Sequence, residues 1–259
     1  MSHTFTHNLV ALKTIVRREI MRIVRIWSQT LIPPAITASL YFIIFGTVIG
    51  SHLHNVHGYP YMTYLVPGLV MMQIITNSYG NITSSFFGAK FQRFVEEMLV
   101  SPTPSWVILS GYIIGAMVRG LTLGVIVLLI STAFTSLHVE HPLITLTTAM
   151  LTSMVFALAG FVNAVFAKKF DDIAIVPSFV LTPLTYLGGV FYSIDQLGEP
   201  WHTISLANPI LYMVNAFRYG MLGVSDIHIG VAYAVMAFFA VTLGGFGLFL
   251  LHRGIGMRS

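Results

Sequence analysis

Long stretches without acidic side chains dominate this 259-residue chain, and six of them are close to or above 20 residues long. A helix needs about 20 apolar residues to cross the hydrocarbon core of a bilayer. The stretches are residues 31–49, 61–87, 106–137, 142–167, 173–194 and 227–251. Only 8% of the residues are charged, against about 25% in a soluble domain. The sequence therefore predicts an all-α integral membrane protein with six transmembrane helices.

Lysine and arginine predict the orientation, because they concentrate in cytoplasmic connections. Eleven of the 13 basic residues fall on one face of the six-span arrangement: Lys13, Arg17, Arg18, Arg22, Arg25, Lys90, Arg93, Lys168, Lys169, Arg253 and Arg258. The opposite connections, 50–60 and 136–141, contain neither lysine nor arginine. Both termini are therefore predicted to be cytoplasmic.

A further apolar segment, 203–217, is too short to cross the membrane and contains Pro209. Such a length suits a re-entrant or interfacial helix pair before the last span, within an external region 195–226. The alternative is a seventh span, which would place the two termini on opposite sides.

The stretch 8–29 is amphipathic. Its apolar stripe consists of Leu9, Leu12, Val16, Ile20, Ile23 and Trp27, and its polar stripe of Arg18, Arg22, Arg25 and Gln29. This pattern predicts a helix lying flat at the inner-leaflet interface, with its arginines near anionic headgroups. A helix packed on a soluble partner is the alternative.

The cytoplasmic loop 84–104 carries a second amphipathic pattern. Its apolar face consists of Phe91, Phe94, Val95 and Met98, and its charges of Lys90, Arg93, Glu96 and Glu97. The run Ser-Pro-Thr-Pro that follows should end the helix, because proline removes a backbone donor. Such a helix can dock into a groove on a soluble partner or rest on the membrane surface.

The same loop resembles a known family. The pattern Phe-x-Arg-x-x-Glu-Glu-x-Leu-x-Ser-Pro beginning at Phe91, after the second of six spans, is similar to type-2 ABC transporter permeases. The similarity continues in LTPLTYLGGVFY (181–192), NPILY (208–212) and FRYG (217–220), and it covers essentially the whole chain.

The resemblance implies a single permease domain over 1–259 that forms a homodimer, or a pair with a similar subunit, in the bacterial inner membrane. It implies two cytoplasmic ATPase subunits, which would carry ATP and magnesium, and no cofactor on this chain. Exporters of this family move drugs, polysaccharides, lipid-linked glycans or other lipids. The ATPase-coupling helix would be 91–99, with Lys90, Phe91, Arg93, Phe94, Glu96, Glu97 and Met98. The exit gate would include Asn208, Pro209, Tyr212 and Arg218.

The chain contains no Gly-x-x-x-x-Gly-Lys-Ser/Thr run that could cradle the phosphates of a nucleotide. We therefore expect no catalytic residue, no enzyme activity and no ATP hydrolysis by this chain alone. Cysteine is absent, which excludes disulfides and thiolate metal sites. The uneven distribution of basic residues argues against a nucleic-acid partner, and membrane lipids are the expected surroundings.

Arg119 lies about 20 Å along a span that starts near Trp106, at 1.5 Å per residue. A cation at that depth should face protein or water. It either meets an anionic substrate headgroup or hydrogen-bonds within the helix bundle. The flanking small-residue pairs Gly111/Gly115 and Gly120/Gly124 indicate close helix packing, or alternatively a dimer contact.

Three further sets of polar residues could be either structural or functional. Asp171 and Asp172 follow two lysines and suit a solvated turn, or a contact with the ATPase. His52, His54 and His57 could hold zinc only weakly, and no metal site is expected. Arg218 should pair with an external carboxylate, for which the candidates are Glu140, Asp195, Glu199 and Asp226.

Two other functions would require different residues. A secondary transporter independent of ATP usually places acidic residues inside its spans, whereas all nine acids here lie outside them. An intramembrane enzyme needs Asp, His or Ser clusters at membrane depth, and none is evident.

The predicted orientation can be tested by chemical labelling from either side of the membrane. Met1 and Lys90 should be labelled from the same, cytoplasmic side, because both lie on the basic face. Labelling of the two positions from opposite sides would refute the six-span arrangement.

Overall fold

A computed structural model describes residues 2–49, 56–136 and 139–257, and these ranges fold into helices without a β-strand. In chain order the helices are α1 (Ser2–Arg25), α2 (Trp27–Tyr41), α3 (Tyr61–Phe91), α4 (Phe94–Val100), α5 (Ser105–Ser131), α6 (Pro142–Phe166), α7 (Asp172–Val176), α8 (Thr182–Tyr186), α9 (Trp201–Leu206), α10 (Pro209–Leu222) and α11 (Ile229–Arg253). The all-α prediction is confirmed for this part of the chain.

Four helical segments in the described ranges are long and apolar enough to cross a membrane: Trp27–Gly46, α5, α6 and α11. The first begins in α2 and continues into a π-helical stretch, Phe42–Ile49. These segments correspond to the first, third, fourth and sixth predicted spans. The second predicted span lies in α3, which has 31 residues but carries several polar side chains and is less apolar.

The fifth predicted span, 173–194, is wrong in its second half. Helical structure runs through α7, a π-helical turn at Pro177–Leu181 and α8, and it ends at Tyr186. At 1.5 Å per residue this run is about 22 Å long, which is shorter than the hydrocarbon core. Gly189, with φ +70°, lies in the turn that follows, in a conformation that favours glycine.

The core of the bundle is α3, which packs against both α5 and α6. Small residues permit the close approach on both sides. A Cβ at Gly124 would lie 2.8 Å from Ile74 of α3, and one at Gly160 of α6 would lie 2.6 Å from the carbonyl oxygen of Tyr79. Helices in lipid associate mainly through such close van der Waals packing.

The glycines of α5 therefore serve packing within one chain. Gly120 and Gly124 contact α3, whereas Gly111 and Gly115 contact Ile15 and Glu19 of α1. The alternative of a dimer contact is not needed to explain their spacing.

The N-terminal helix packs through part of its predicted apolar stripe, in which Ile23 is buried and Leu12, Val16 and Ile20 are partly buried. Ile15 and Glu19 of α1 contact Gly111 and Gly115 of α5, so the two helices run side by side here. Both Glu19 and Ile23 are buried. Leu9 and Trp27, which belong to the predicted apolar stripe, are exposed. The predicted stripe is therefore the packing face in its middle and not at its two ends, and this face also includes a buried carboxylate, Glu19.

The contact at Gly160 gives a stability prediction. Gly160→Ala should lower the free energy of unfolding by about 1–3 kcal/mol, because the new methyl group meets a backbone oxygen that cannot move aside. The corresponding loss in Tm is roughly 2–4 °C per kcal/mol, measured in detergent. Gly245→Ala in α11 is the matched control, since a Cβ there meets nothing within 4 Å. Equal Tm values for the two variants would contradict the packing role.

Candidate functional site

The loop after α3, predicted to be cytoplasmic, contains two helical pieces instead of one. The predicted helix 91–99 is broken after Phe91, where Arg93 adopts a left-handed conformation with φ 63°. The short helix α4 starts at Phe94 and ends at Val100, before Ser101-Pro102. The sequence located the α4 helix correctly, but Phe91 belongs to the end of α3. The break turns α4 away from the direction of α3.

One side of α4 packs on the protein and the other is open. Val95 is 1% exposed, and Met98 is partly buried. Phe94, Glu96 and Glu97 are exposed. The open side thus combines an aromatic ring with two carboxylates, as expected for a surface that contacts another protein.

Phe170 extends this open side from the loop between α6 and α7. Its ring centroid lies 5.1 Å from that of Phe91 and 5.0 Å from that of Phe87. Phe91 and Phe170 are 60% and 55% exposed. We define the coupling patch as Phe91, Phe94, Glu96, Glu97 and Phe170. Sequence reasoning missed Phe170, although a lone aromatic residue beside charged ones in a short loop is a usable signal.

Lys90 is not part of this open surface. Its Nζ donates to the carbonyl oxygens of Val165 and Ala167 at 2.6 and 2.8 Å, and the side chain is buried. It satisfies two carbonyl groups at the end of α6 that have no partner inside the helix. Burial lowers the pKa of Lys90, and the charge of Lys168 lowers it further. Lys90 therefore fastens α3 to α6.

The loop between α6 and α7 is folded by Asp172. Its Oδ2 accepts hydrogen bonds from the backbone N–H groups of Lys168 and Lys169 at 2.8 and 3.0 Å. These two donors hold the pKa of Asp172 below its ordinary value of 3.8. Asp171 makes no such side-chain contact. The turn that was expected here is present, and it presents Phe170.

A row of polar side chains runs along α3 at four-residue spacing. We define the polar row as Gln73, Asn77, Asn81 and Ser85, all of which are buried. Asn77 donates to Gln73 Oε1 at 3.1 Å, and Ser85 donates to Glu19 of α1 at 2.6 Å. Sequence reasoning missed this row, although amide residues one helical turn apart in an apolar span are a recognisable signal.

Two arginines bind the middle of the polar row. Arg119 of α5 donates to Asn77 Oδ1 at 3.4 Å. Arg22 of α1 donates to Asn81 Oδ1 at 2.8 Å and to the Asn81 carbonyl oxygen at 3.2 Å. The bundle contact expected for Arg119 is thus observed, and a contact with substrate stays a prediction.

Glu19 is the buried carboxylate of this region and was not anticipated. Arg18 and Arg22 lie 3.2 and 3.3 Å from its oxygens, and Arg18 also donates to the Tyr112 hydroxyl at 2.6 Å. Two of the four residues in the predicted polar stripe of α1 therefore contact protein. A buried charge needs such partners.

On the opposite side of the bundle, Arg218 of α10 is buried without a carboxylate partner among the described residues. Its Nη2 donates to Gly189 O at 2.6 Å, and its guanidinium lies 4.1 Å from the ring centroid of Tyr64. The expected ion pair with an external acid is therefore wrong. A carbonyl oxygen and an aromatic face stabilise the cation instead.

The other proposed gate residues organise the α9–α10 turn. Asn208 caps α10, because its Oδ1 accepts from Ile210 N at 3.0 Å, and its Nδ2 donates to Leu184 O at 2.6 Å. Pro209 occupies the first turn, where its missing donor is tolerated. The Tyr212 hydroxyl donates to Leu206 O at 2.8 Å. The segment is thus two short helices separated by a turn.

His57 contacts one acid, Asp226, and lies close to a second, Asp195. Its Nε2 lies 3.1 Å from Asp226 Oδ1 and 3.2 Å from Ser193 Oγ. The ligand atoms of His57, Asp195 and Asp226 all lie within 4.8 Å of one another, so these three residues could hold a divalent cation. His52 and His54 of the same predicted loop lie outside the described residues.

Two of the clefts beside α4 are larger than 400 Å³. One of about 820 Å³ lies between α4, α5 and the end of α11, and its lining includes Glu96, Leu99 and Arg253. The other, of about 490 Å³, lies between α1 and the end of α3. Its lining includes Arg18, Arg22, Arg25, Ser84, Ser85 and Phe94.

The chain is similar in sequence to known membrane transport proteins. It matches the ABC-2 type transporter family over residues 10–222. It is 52% identical over 250 residues to the inner membrane transport permease YadH of Escherichia coli (strain K12), covering 96% of this chain and 98% of YadH. Nodulation protein J of Neorhizobium galegae is 26% identical over 207 residues, which cover 77% of this chain and 79% of that protein.

The Asp172 contact makes a pH-dependent prediction. Asp172→Ala should speed hydrogen exchange of the Lys168 and Lys169 amides several-fold at pH 7, because it removes their acceptor. A carboxylate with a depressed pKa stabilises above its unfolded pKa and loses that effect as the pH falls through its folded pKa. The difference from the wild type should therefore vanish only below about pH 3.8. Asp171→Ala is the control, and an equal effect of that variant would contradict the assignment.

Proposed function

The chain belongs to the ABC-2 type transporter family and is the permease subunit of such a transporter; from that premise we propose that it exports its cargo by alternating access, driven by a separate ATPase. The relative YadH is by name an inner membrane transport permease, and we assign this chain to the bacterial inner membrane as well. ATP and magnesium would bind the ATPase, so this chain carries transport and not catalysis.

The coupling patch carries this proposal. Phe91, Phe94 and Phe170 present apolar area to the cytoplasm, with Glu96 and Glu97 beside them. A contiguous apolar area on a surface that faces water marks an interaction site. Aromatic anchors with a charged margin are also typical of protein interfaces.

A displacement of the coupling patch would be transmitted to the helices that pack around α3. The Val95 side chain of α4 is buried against the protein, and Lys90 fastens the end of α3 to the end of α6. Because α3 packs on both α5 and α6, these contacts support movement of the three helices together. Nucleotide binding can shift the transporter only if the ATPase contacts its two states differently.

The assembly that we propose has six spans, both termini in the cytoplasm, and two permease copies with two ATPases. Four apolar segments, the long α3 and the shorter helical run Asp172–Tyr186 would supply the spans. The short helices α9 and α10 would form a re-entrant pair that closes the exit, with Asn208, Pro209, Tyr212 and Arg218 in the gate. The cargo would be a lipid, a glycan or a hydrophobic drug-like molecule.

Charge reversal on the patch tests the coupling role. The double variant Glu96→Lys/Glu97→Lys should lower the amount of cognate ATPase that copurifies by about tenfold, equivalent to about 1.4 kcal/mol. Transport-linked ATP hydrolysis should fall with it. Glu199→Lys is the matched control, because it reverses an exposed carboxylate far along the chain, before α9. Unchanged complex formation and hydrolysis in the double variant would rule out the coupling role.

A further inference from the structure

The region where α1, α3 and α5 meet contains three buried donor atoms without a partner. They are Nε of Arg22, Nδ2 of Asn81 and Nε of Arg119. Asn81 is only 1% exposed, and its Oδ1 already accepts from Arg22, so the amide orientation is determined by that bond. All three unpaired atoms donate, and none accepts. A buried donor without an acceptor costs free energy, so a partner for these three atoms would have to supply acceptor atoms.

The same region carries excess positive charge. Arg18, Arg22 and Arg119 contribute three positive charges, and Glu19 contributes one negative charge. Glu19 pairs with Arg18 and Arg22, whereas no carboxylate in the described part of the chain lies within ion-pair distance of Arg119. A water molecule could satisfy a donor here, but it could not balance this charge.

The geometry places the two guanidinium groups one helical turn apart. Arg22 binds Asn81 and Arg119 binds Asn77, and residues four apart on a helix are separated by about 6 Å along its axis. The 490 Å³ cleft reaches Arg22 from the side of α1 and is lined also by Arg18 and Arg25. Its lining also includes the apolar side chains of Met21 in α1 and of Ile26, which follows α1. A ligand with a charged group and an apolar body fits this combination.

We propose that Arg22, Asn81 and Arg119 form a binding site for a phosphate-type oxyanion at the junction of α1, α3 and α5. Guanidinium groups bind phosphate oxygens through short, charge-assisted hydrogen bonds. The site would accept a phosphate group from a lipid headgroup or from a soluble phosphate ester. Binding there requires neither nucleotide nor an ATPase, so the site stands or falls independently of the coupling role.

Thermal unfolding of the full chain, purified in a maltoside detergent without phosphate, tests the site. The lipid arm compares dioleoyl phosphatidic acid with dioleoylglycerol, which has the same chains and no phosphate. The soluble arm compares glycerol 3-phosphate with glycerol at matched ionic strength. A ligand at about 100 times its Kd should raise Tm by roughly 5 °C or more. The arm that responds identifies the source of the phosphate group.

Variants separate this site from general charge attraction. Arg119→Gln should lose the response, and Arg17→Gln should keep it, because Arg17 is an exposed arginine of α1 that lines neither cleft. Asn81→Asp supplies a carboxylate in place of the ligand. It should raise Tm without any additive and abolish the response, which distinguishes a filled site from a misfolded one. No response of the wild type in either arm, or an equal response of the wild type, Arg119→Gln and Asn81→Asp, would overturn the proposal.

Discussion

The close approach of α5 and α6 to α3 is the constraint on which this structure depends. Two apolar helices gain little from exchanging lipid contacts for each other, so they hold together only where their surfaces interlock at short range. Three glycines without a side chain permit this short distance, and each contacts α3: Gly120 and Gly124 of α5, and Gly160 of α6. The same device brings α1 onto α5 at Gly111 and Gly115. The position of the N-terminal helix thus follows from the same packing rule as the core.

Close packing also decides what happens to the polar groups at membrane depth. Hydroxyl pairs such as Ser78 with Ser153, at 2.8 Å, are satisfied across the α3–α6 contact. The polar row on the other side of α3 is satisfied only in part. Arg22 and Arg119 bind it, but Nε of each arginine and Nδ2 of Asn81 have no hydrogen-bond partner. Incomplete satisfaction of buried charge is common where a protein binds a ligand. Packing and binding therefore divide the surface of α3 between them.

One helix connects the regions at the two ends of the molecule. At its beginning, the Tyr61 hydroxyl donates to Phe191 O at 2.9 Å, and the Tyr64 ring lies under Arg218. At its end lie Lys90 and Phe91, and Phe91 belongs to the coupling patch together with residues of α4. A displacement of α3 would be felt by both regions, because stiff helices move as units. This continuity gives the proposed coupling mechanism a physical path, and its use in transport is what the copurification and hydrolysis measurements address.

Composition and periodicity alone determined that this chain is helical and enters a membrane, because apolar runs of this length have no other favourable surroundings. They also located α4, since proline punctuation and a clear apolar face are local signals. Only the tertiary structure decided which side chains can contact a partner. Lys90 and Glu19 are buried, whereas Phe170 is exposed as part of the coupling patch. Arg218 binds a carbonyl oxygen instead of a carboxylate, and the helix of the fifth predicted span ends at Tyr186. The reason is that availability depends on which helices meet, and the helices of one chain meet through contacts between residues far apart in sequence, which no local pattern records.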